Sequence, residues 1–171
     1  MKPDIYEIER IGSGSLSMMA KPVSGEWIED EFSDIAKWGI GCIVSLLEHR
    51  EAIDVGLGSE QQLAEKYGMR FVSYPIPDRG LPTSIDAYLN FTKNLYHEAA
   101  DGVNTVVHCR AGIGRAGIIC AGVLLHCGYT PKDALERISQ RRGVEVPDTQ
   151  AQIDWVAKSA AILSSRFRGS S

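Results

Sequence analysis

Several features that mark other classes of protein are missing from the sequence. No run of lysine or arginine exceeds two residues and the formal net charge is −4, so no basic patch for a nucleic-acid backbone or an anionic membrane is predicted. No stretch approaches the ~20 apolar residues that span a bilayer, and the N-terminal residues do not read as a charged segment followed by an apolar core. We therefore expect a soluble, cytoplasmic protein with no nucleic-acid or membrane partner.

Cysteine is scarce and is not arranged in the pairs that bind metals. The four cysteines stand at positions 42, 109, 120 and 127, mostly within apolar segments, and none has the spacing of a zinc ligand pair. Without an export signal, free thiols are expected rather than disulfides. The sequence thus predicts no metal and no cofactor, with Cys42, Cys120 and Cys127 as packing residues.

The chain has the size and apolar content of one compact unit. It contains 171 residues, of which 44% are hydrophobic, enough for a single stable core. We expect one domain over residues 1–165, a flexible Ser/Arg/Gly tail over residues 166–171, and a monomer.

The hydrophobic pattern alternates between strand and helix periods. A short hairpin is predicted around Gly12, followed by a chain of buried strands and amphipathic helices. The predicted strands are 42–47, 69–76 and 103–108; the predicted helices are 25–38, 59–67, 84–100, 115–127, 131–142 and one beginning near 147, with 48–51 as a loop. Such alternation indicates an α/β fold with a mostly parallel central sheet flanked by helices.

The most informative segment is His108-Cys-Arg-Ala-Gly-Ile-Gly-Arg115, called loop 108–115 below. It joins a predicted strand to a predicted helix, so its backbone N–H groups and the helix dipole favour a bound phosphate. The same N–H groups and the Arg115 guanidinium favour the thiolate of Cys109, which we expect to be ionised at neutral pH. Arg115 can grip two phosphate oxygens as a bidentate fork.

His-Cys, five residues and Arg at a strand–turn–helix junction resembles the signature of the protein tyrosine phosphatase superfamily. Ile43-Val-Ser-Leu-Leu-Glu48 and Pro75-Ile-Pro-Asp78 are similar, in order and spacing, to segments of the small atypical dual-specificity phosphatases and their bacterial and archaeal relatives. The resemblance implies the phosphatase fold and hydrolysis of phosphotyrosine, with phosphoserine and phosphothreonine as further candidates, in a phosphorylated protein or a small aryl phosphate. The reaction needs no metal and passes through a phosphocysteine.

The resemblance also implies roles for individual residues. Cys109 is the nucleophile, Arg115 the phosphate ligand and Asp78 the general acid that protonates the leaving oxygen. His108 supports the thiolate from behind the loop, and Glu48 faces the rim of the site. The substrate phosphate is bound by Arg110, Ala111, Gly112, Ile113, Gly114 and Arg115.

Two positions depart from the family pattern. The family usually has Ser or Thr after the arginine, where a hydroxyl stabilises the departing sulfur, but this chain has Ala116. We therefore expect slow breakdown of the phosphocysteine. Asp148 and Gln152 correspond to the Gln-Thr-x-x-Gln segment that positions water in the family, and Asp148 is either an auxiliary carboxylate there or an ordinary helix N-terminal Asp.

The roles of several other residues have more than one interpretation. Arg79 and Arg110 either favour acidic or polyphosphorylated substrates or are solvated surface residues. Inositol-phosphate phosphatases of the superfamily tend to carry Lys where this chain has Ile113, which disfavours a lipid or inositol substrate. Cys120 is the cysteine best placed in the sequence to form a protective disulfide with Cys109.

Two other classes of function compete with the enzyme. A phosphate-binding adaptor would explain Ala116 by retention of a phosphoprotein without turnover. A rhodanese-like sulfurtransferase also uses a cysteine at a strand–loop–helix junction but has no use for Asp78.

Overall fold

A computed structural model describes residues 3–169 of the chain. Within these residues a five-stranded sheet is formed by β1 (Tyr6–Ile11), β2 (Gly14–Met19), β3 (Cys42–Ser45), β4 (Arg70–Ser73) and β5 (Asn104–His108). The helices are α1 (Ile28–Trp38), α2 (His49–Asp54), α3 (Glu60–Lys66), α4 (Ile85–Ala100), α5 (Gly114–His126), α6 (Pro131–Arg142) and α7 (Gln150–Gly169), and a 3-10 turn over Gly25–Trp27 precedes α1.

The sheet is mostly parallel, as the sequence predicted. Its strand order is β1-β2-β5-β3-β4. Strands β2, β5, β3 and β4 run parallel, while β1 pairs antiparallel with β2 through the predicted hairpin. The predicted α/β fold class is therefore confirmed.

Helices cover both faces of the sheet, and each face has its own core. The larger core joins the sheet to α4, α5, α6 and α7, and the smaller one joins it to α1 and α3. Strand β3 and nearly all of β5 are buried, which explains why their sequences are continuous apolar runs rather than alternating ones.

Helix α5 lies at the centre of the larger core and is buried from Gly114 to Leu125. An all-round apolar sequence is typical of such a helix. Tyr88 of α4 packs against it and donates a hydrogen bond of 2.6 Å to the carbonyl of Ile118. Gly122 permits this contact, because any side chain there would collide with the Tyr88 ring. The N-terminal half of α5 is thus held against α4.

Some predicted boundaries were wrong. Residues 49–51, predicted as loop, begin α2, and Glu48 is its N-cap in a reciprocal capping box with Glu51. Residues 166–169 of the predicted tail continue α7, where Arg166 forms an ion pair with Asp86. Ser84 caps α4 by accepting a hydrogen bond from the N–H of Ala87, whereas Ser24, before the 3-10 turn, makes no side-chain cap.

The parallel strands end at one edge of the sheet, which positions the functional residues. Loop 108–115 follows β5, and α2 follows β3, its neighbour in the sheet. Ligands of open α/β sheets bind at this carboxyl edge. Among the described residues, no helix has the length and apolar character needed to cross a membrane.

Candidate active site

Loop 108–115 is built so that its carbonyl groups face outward. The His108 ring contacts the Cys109 carbonyl through Nδ1 at 3.1 Å, and a carbonyl can only accept, so the ring donates. The backbone N–H of Lys21, just after β2, donates to the Arg110 carbonyl at 2.9 Å. The first donor is the residue before Cys109, and the second follows a neighbouring strand of the sheet.

Arg142, at the end of α6, holds the next two carbonyls. Its Nε donates to Gly112 O at 3.0 Å and its Nη2 to Ala111 O at 2.9 Å. Its guanidinium also lies 4.3 Å from the centre of the Tyr6 ring, a cation–π contact that restrains the side chain.

The N–H groups of the loop point the opposite way from these carbonyls. In a trans peptide the N–H points away from the C=O of the same unit. With the carbonyls of residues 109–112 all held outward, the N–H groups of residues 110–113 face inward. They form a concave anion-binding nest around the Cys109 side chain.

Gly112 is required by this backbone shape. It has φ +72°, and a Cβ on it would overlap the backbone of Met19 and Ala20. Left-handed φ favours glycine, and here the close approach of β2 excludes every other residue as well.

One cavity of about 260 Å³ opens over the nest. It is lined by Asp78, Arg79, Cys109, Arg110, Ala111, Gly114, Arg115 and Asp148. The structure thus brings together the predicted nucleophile, arginine, acid and auxiliary carboxylate. The other predicted site residues, His108, Gly112, Ile113, Ala116 and Gln152, are not among those lining it.

Arg115 is the most heavily contacted side chain of the site and is almost fully buried. Its Nη1 and Nη2 donate to the two carboxylate oxygens of Glu51 at 2.8 and 2.9 Å, and Nη1 also donates to Ile76 O at 2.9 Å. Nη2 lies 3.3 Å from Oδ1 of Asp78. Of the five N–H groups of a guanidinium, Nε–H and the Nη2–H facing Asp78 remain for a phosphate.

The ion pair with Glu51 changes the acidity of both partners. The hydrogen bonds from Arg115 hold the pKa of Glu51 below its usual value. Burial lowers the pKa of Arg115, but the hydrogen bonds to Glu51 and the charges of Cys109 and Glu51 outweigh it and leave that pKa raised. Glu51 therefore stays ionised and keeps Arg115 in place.

Replacing Glu51 by Gln should destabilise the fold in a pH-dependent way. Loss of a charge-assisted bond to buried Arg115 should lower the free energy of unfolding by about 1–3 kcal/mol at pH 7. A depressed folded-state pKa contributes stability above the ordinary value of 4.5 and loses it as the pH falls through the lowered pKa. The difference between wild type and variant should accordingly vanish well below pH 4.5.

Urea unfolding at several pH values measures this difference. Glu7→Gln is the control, because Glu7 pairs with Arg10 on the exposed surface and its loss should change little. A Glu51→Gln effect that persisted unchanged in acid would contradict the assigned role of its charge.

Gln152 joins the start of α7 to the acid-bearing segment. Its Oε1 accepts from the backbone N–H groups of Asp148 and Thr149 at 3.1 and 3.3 Å, and its Nε2 donates to Gly80 O at 3.3 Å. The Asp148 carboxylate approaches Gly114 so closely that a side chain at that glycine would collide with it. Asp148 therefore lies at the edge of the nest, near Cys109.

Sequence reasoning missed several residues of the site. Glu51 and Arg142 are common surface residue types, and their roles come from elements that approach the loop from elsewhere in the chain. Glu51 stands three residues after Glu48, which is the spacing of a capping box, but Glu is not one of the usual N-cap residues, so the sequence alone gave little signal for α2. Nothing local distinguished Arg142 from Arg141.

All four cysteines are free. Burial, followed by the neighbouring Cys109, raises the pKa of Cys120, and burial raises that of Cys42 to about 11. Neither residue lines the cavity of the site.

Comparison with known proteins agrees with this geometry. A family model described as "Polymorphic toxin system, DSP-PTPase phosphatase" matches residues 17–129, a range that runs from β2 through the nest and α5. The chain belongs to this family of DSP-PTPase phosphatases.

Curated relatives of this DSP-PTPase chain include eukaryotic phosphatases. Protein tyrosine phosphatase type IVA 2 of Mus musculus is 36% identical over 80 residues, 46% of this chain and 47% of the relative. Protein tyrosine phosphatase type IVA 3 of Homo sapiens is 30% identical over 111 residues, 64% of this chain and 59% of the relative. The matches thus span about half of the length of these relatives.

Solved structures share the DSP-PTPase fold over nearly the whole chain. Kinase associated phosphatase, with serine in place of its catalytic-site cysteine, superposes with a TM-score of 0.84 at 20% identity and covers 96% of this chain and 97% of that one. The active form of Tk-PTP superposes with a TM-score of 0.77 at 23% identity, covering 94% and 99%. At these identities the likeness concerns the fold.

Proposed function

We propose that this chain is a cysteine-dependent protein phosphatase that hydrolyses phosphotyrosine, with phosphoserine and phosphothreonine as further substrates, through a phosphocysteine on Cys109. The observation that carries the proposal is the nest of inward N–H groups around Cys109, closed on one side by Arg115. It supplies donors for the three non-bridging oxygens of a phosphoryl group. Family membership supports the same reaction.

In the first half-reaction the Cys109 thiolate attacks phosphorus. The S–P bond forms as the P–O bond to the leaving group breaks, and Asp78 gives its proton to the leaving oxygen. Inward N–H groups and Arg115 stabilise the charge on the equatorial oxygens in the transition state. Asp78 contacts Nη2 of Arg115, so a phosphate that takes this donor releases the acid toward the leaving group.

In the second half-reaction water attacks the phosphocysteine. Asp78, now ionised, takes a proton from the water as the S–P bond breaks and sulfur departs as thiolate. Asp148 lines the same cavity and is proposed as an auxiliary carboxylate for this water. Ala116, which follows Arg115 in the first turn of α5, offers no hydroxyl to the departing sulfur.

Replacing Ala116 by Ser should accelerate this second half-reaction. One added hydrogen bond to a charged sulfur contributes about 1.5–3 kcal/mol, so hydrolysis of the intermediate should speed up roughly tenfold to a hundredfold. Single-turnover decay of the phosphocysteine measures the step directly. Ala121→Ser is the control, since it adds the same hydroxyl to a buried position farther along α5. If the phosphocysteine decayed at the wild-type rate in Ala116→Ser, a missing hydroxyl at position 116 would not be the cause of slow hydrolysis.

The experiment that tests the function is capture of the intermediate. Wild-type protein mixed with an aryl phosphate and quenched in acid should carry one phosphate on Cys109, and inorganic phosphate should be released continuously without added metal. An adaptor would bind the aryl phosphate without either result. A sulfurtransferase would transfer sulfur from thiosulfate faster than it released phosphate.

The substrate is proposed to be a phosphorylated protein. Arg79 and Arg110 lie at the rim of the cavity, which favours acidic residues beside the phosphorylated side chain, although Arg110 is partly neutralised by Glu51 at 3.7 Å. Capture from lysate with Asp78→Ala, which retains the nest but lacks the acid, identifies the partner. We expect the Asp78→Ala variant alone to retain phosphoproteins. Competing inorganic phosphate should prevent this retention.

We further propose that the enzyme acts as a monomer in the cytoplasm. A thiolate nucleophile and free cysteines function in a reducing compartment. Light scattering of the purified protein tests the first proposal and fractionation of the cell tests the second.

A further inference from the structure

Behind the nest, the His108 ring is held between two acceptors. Nδ1 lies 3.1 Å from the Cys109 carbonyl and Nε2 lies 2.6 Å from a carboxylate oxygen of Glu60, the first residue of α3. The side chains of His108 and Glu60 are 0% and 3% exposed. A carboxylate in direct contact with the signature histidine was not expected from the sequence.

Counting protons limits the states of this pair. A carbonyl only accepts, so Nδ1 must carry a proton. At 2.6 Å a proton must also lie between Nε2 and Glu60, because two lone pairs at that distance would repel. The pair therefore holds two protons, either as an imidazolium beside a carboxylate or as a neutral ring beside a carboxylic acid.

We propose that Glu60 is a positioning residue that keeps His108 in the imidazolium form. Imidazole is intrinsically more basic than a carboxylate, and only the imidazolium donates from both nitrogens. In this form the ring fixes the Cys109 carbonyl, which turns the next N–H into the nest, and adds positive charge behind the sulfur. The proposal rests on the proposed function of Cys109 as a thiolate nucleophile.

A cavity with both polar and apolar lining residues lies beside Glu60. It measures about 270 Å³, lies at the carboxyl end of β3, and is also lined by Ser45, His49, Gln61 and Ser73. These groups can solvate an ionised Glu60. His49 on α2 is the other titratable residue that lines this cavity, and on the opposite side of the ring His108 contacts the backbone of Cys109.

The resting protein tests the charge of the ring directly. In nitrogen-15 NMR at pH 7 without substrate, both ring nitrogens of His108 should be protonated. A spectrum in which Nε2 lacks a proton would overturn the proposal. This measurement needs no substitution and no turnover, so its outcome is separate from that of the phosphatase assay.

Alkylation of Cys109 by iodoacetamide provides the second test. Glu60→Gln can still donate to a neutral ring and so preserves the contact with the Cys109 carbonyl, but it removes the charge. The pH midpoint of alkylation should rise by about one unit, with a roughly tenfold slower reaction below the midpoint. Glu65→Gln, an exposed change on the same helix, should leave the profile unmoved.

A double substitution separates a positioning role from general damage to the fold. In a His108→Asn background, Glu60→Gln should not shift the alkylation profile further, because its effect passes through the ring. An equal additional shift in that background would overturn the proposal. An unchanged profile in Glu60→Gln alone, with wild-type turnover, would overturn it while leaving the phosphatase function intact.

Discussion

Replacing Cys109 by Ser should reduce phosphate release from an aryl phosphate by at least about 10⁴-fold while phosphate binding persists. A serine hydroxyl remains protonated at neutral pH, so the inward N–H groups have no anion to stabilise before substrate arrives. The nest itself is backbone, held by Lys21 and Arg142, and it survives the exchange of sulfur for oxygen. Steady-state release measures the loss, and thermal stabilisation by inorganic phosphate measures the retained binding.

Cys127→Ser is the matched control for this change. Cys127 lies at the C-terminal end of α5, remote from the nest and partly exposed, and the same exchange there should leave turnover intact. Wild-type rates in Cys109→Ser would exclude a phosphocysteine and with it the whole proposed reaction.

Replacing Arg115 by Lys should lower kcat/KM by about 10³-fold although the positive charge is kept. The guanidinium contacts Glu51 through two nitrogens and Ile76 through one, and these bonds orient its remaining N–H groups toward a phosphate. An ammonium group cannot make the paired contact with Glu51 and also present a planar fork to two phosphate oxygens. The lost contacts belong mainly to the transition state, so kcat should fall more than KM rises.

Arg141→Lys is the control for the same chemical change. Arg141 is exposed near the end of α6, beside the half-buried Arg142 that holds the loop. A variant at Arg115 that retained wild-type kcat/KM would show that charge alone, without the fork geometry, accounts for phosphate recognition.

The sequence predicted the site residues that lie in one continuous segment or in a recognisable motif. Loop 108–115 is one continuous segment, and the strand before it and the helix after it have distinct hydrophobic periods. Asp78 is distant in sequence, but its loop carries a recognisable Pro-Ile-Pro-Asp motif. The fold class followed in the same way, because a parallel sheet requires long apolar strands separated by helices.

The support of the loop was not predictable from local patterns. Glu51, Glu60 and Arg142 each reach the loop from a separate helix, and their side chains are of types that usually face solvent. Their burial, complete for Glu60 and partial for Glu51 and Arg142, results from tertiary packing around the loop. Single-sequence periodicity carries no information about which charged residue of a helix is covered by another element.

The contact between Asp78 and Arg115 couples two events by thermodynamic linkage. Nη2 of Arg115 lies between Glu51 and Asp78, so a phosphate that takes the donor facing Asp78 must displace the Asp78 side chain. Linkage is reciprocal: the free energy by which the contact between Asp78 and Arg115 weakens phosphate binding equals the free energy by which bound phosphate weakens that contact. In the proposed reaction Asp78 ends the second half-reaction protonated, and once it passes that proton to solvent its carboxylate competes with the product phosphate for the Arg115 guanidinium and so favours release.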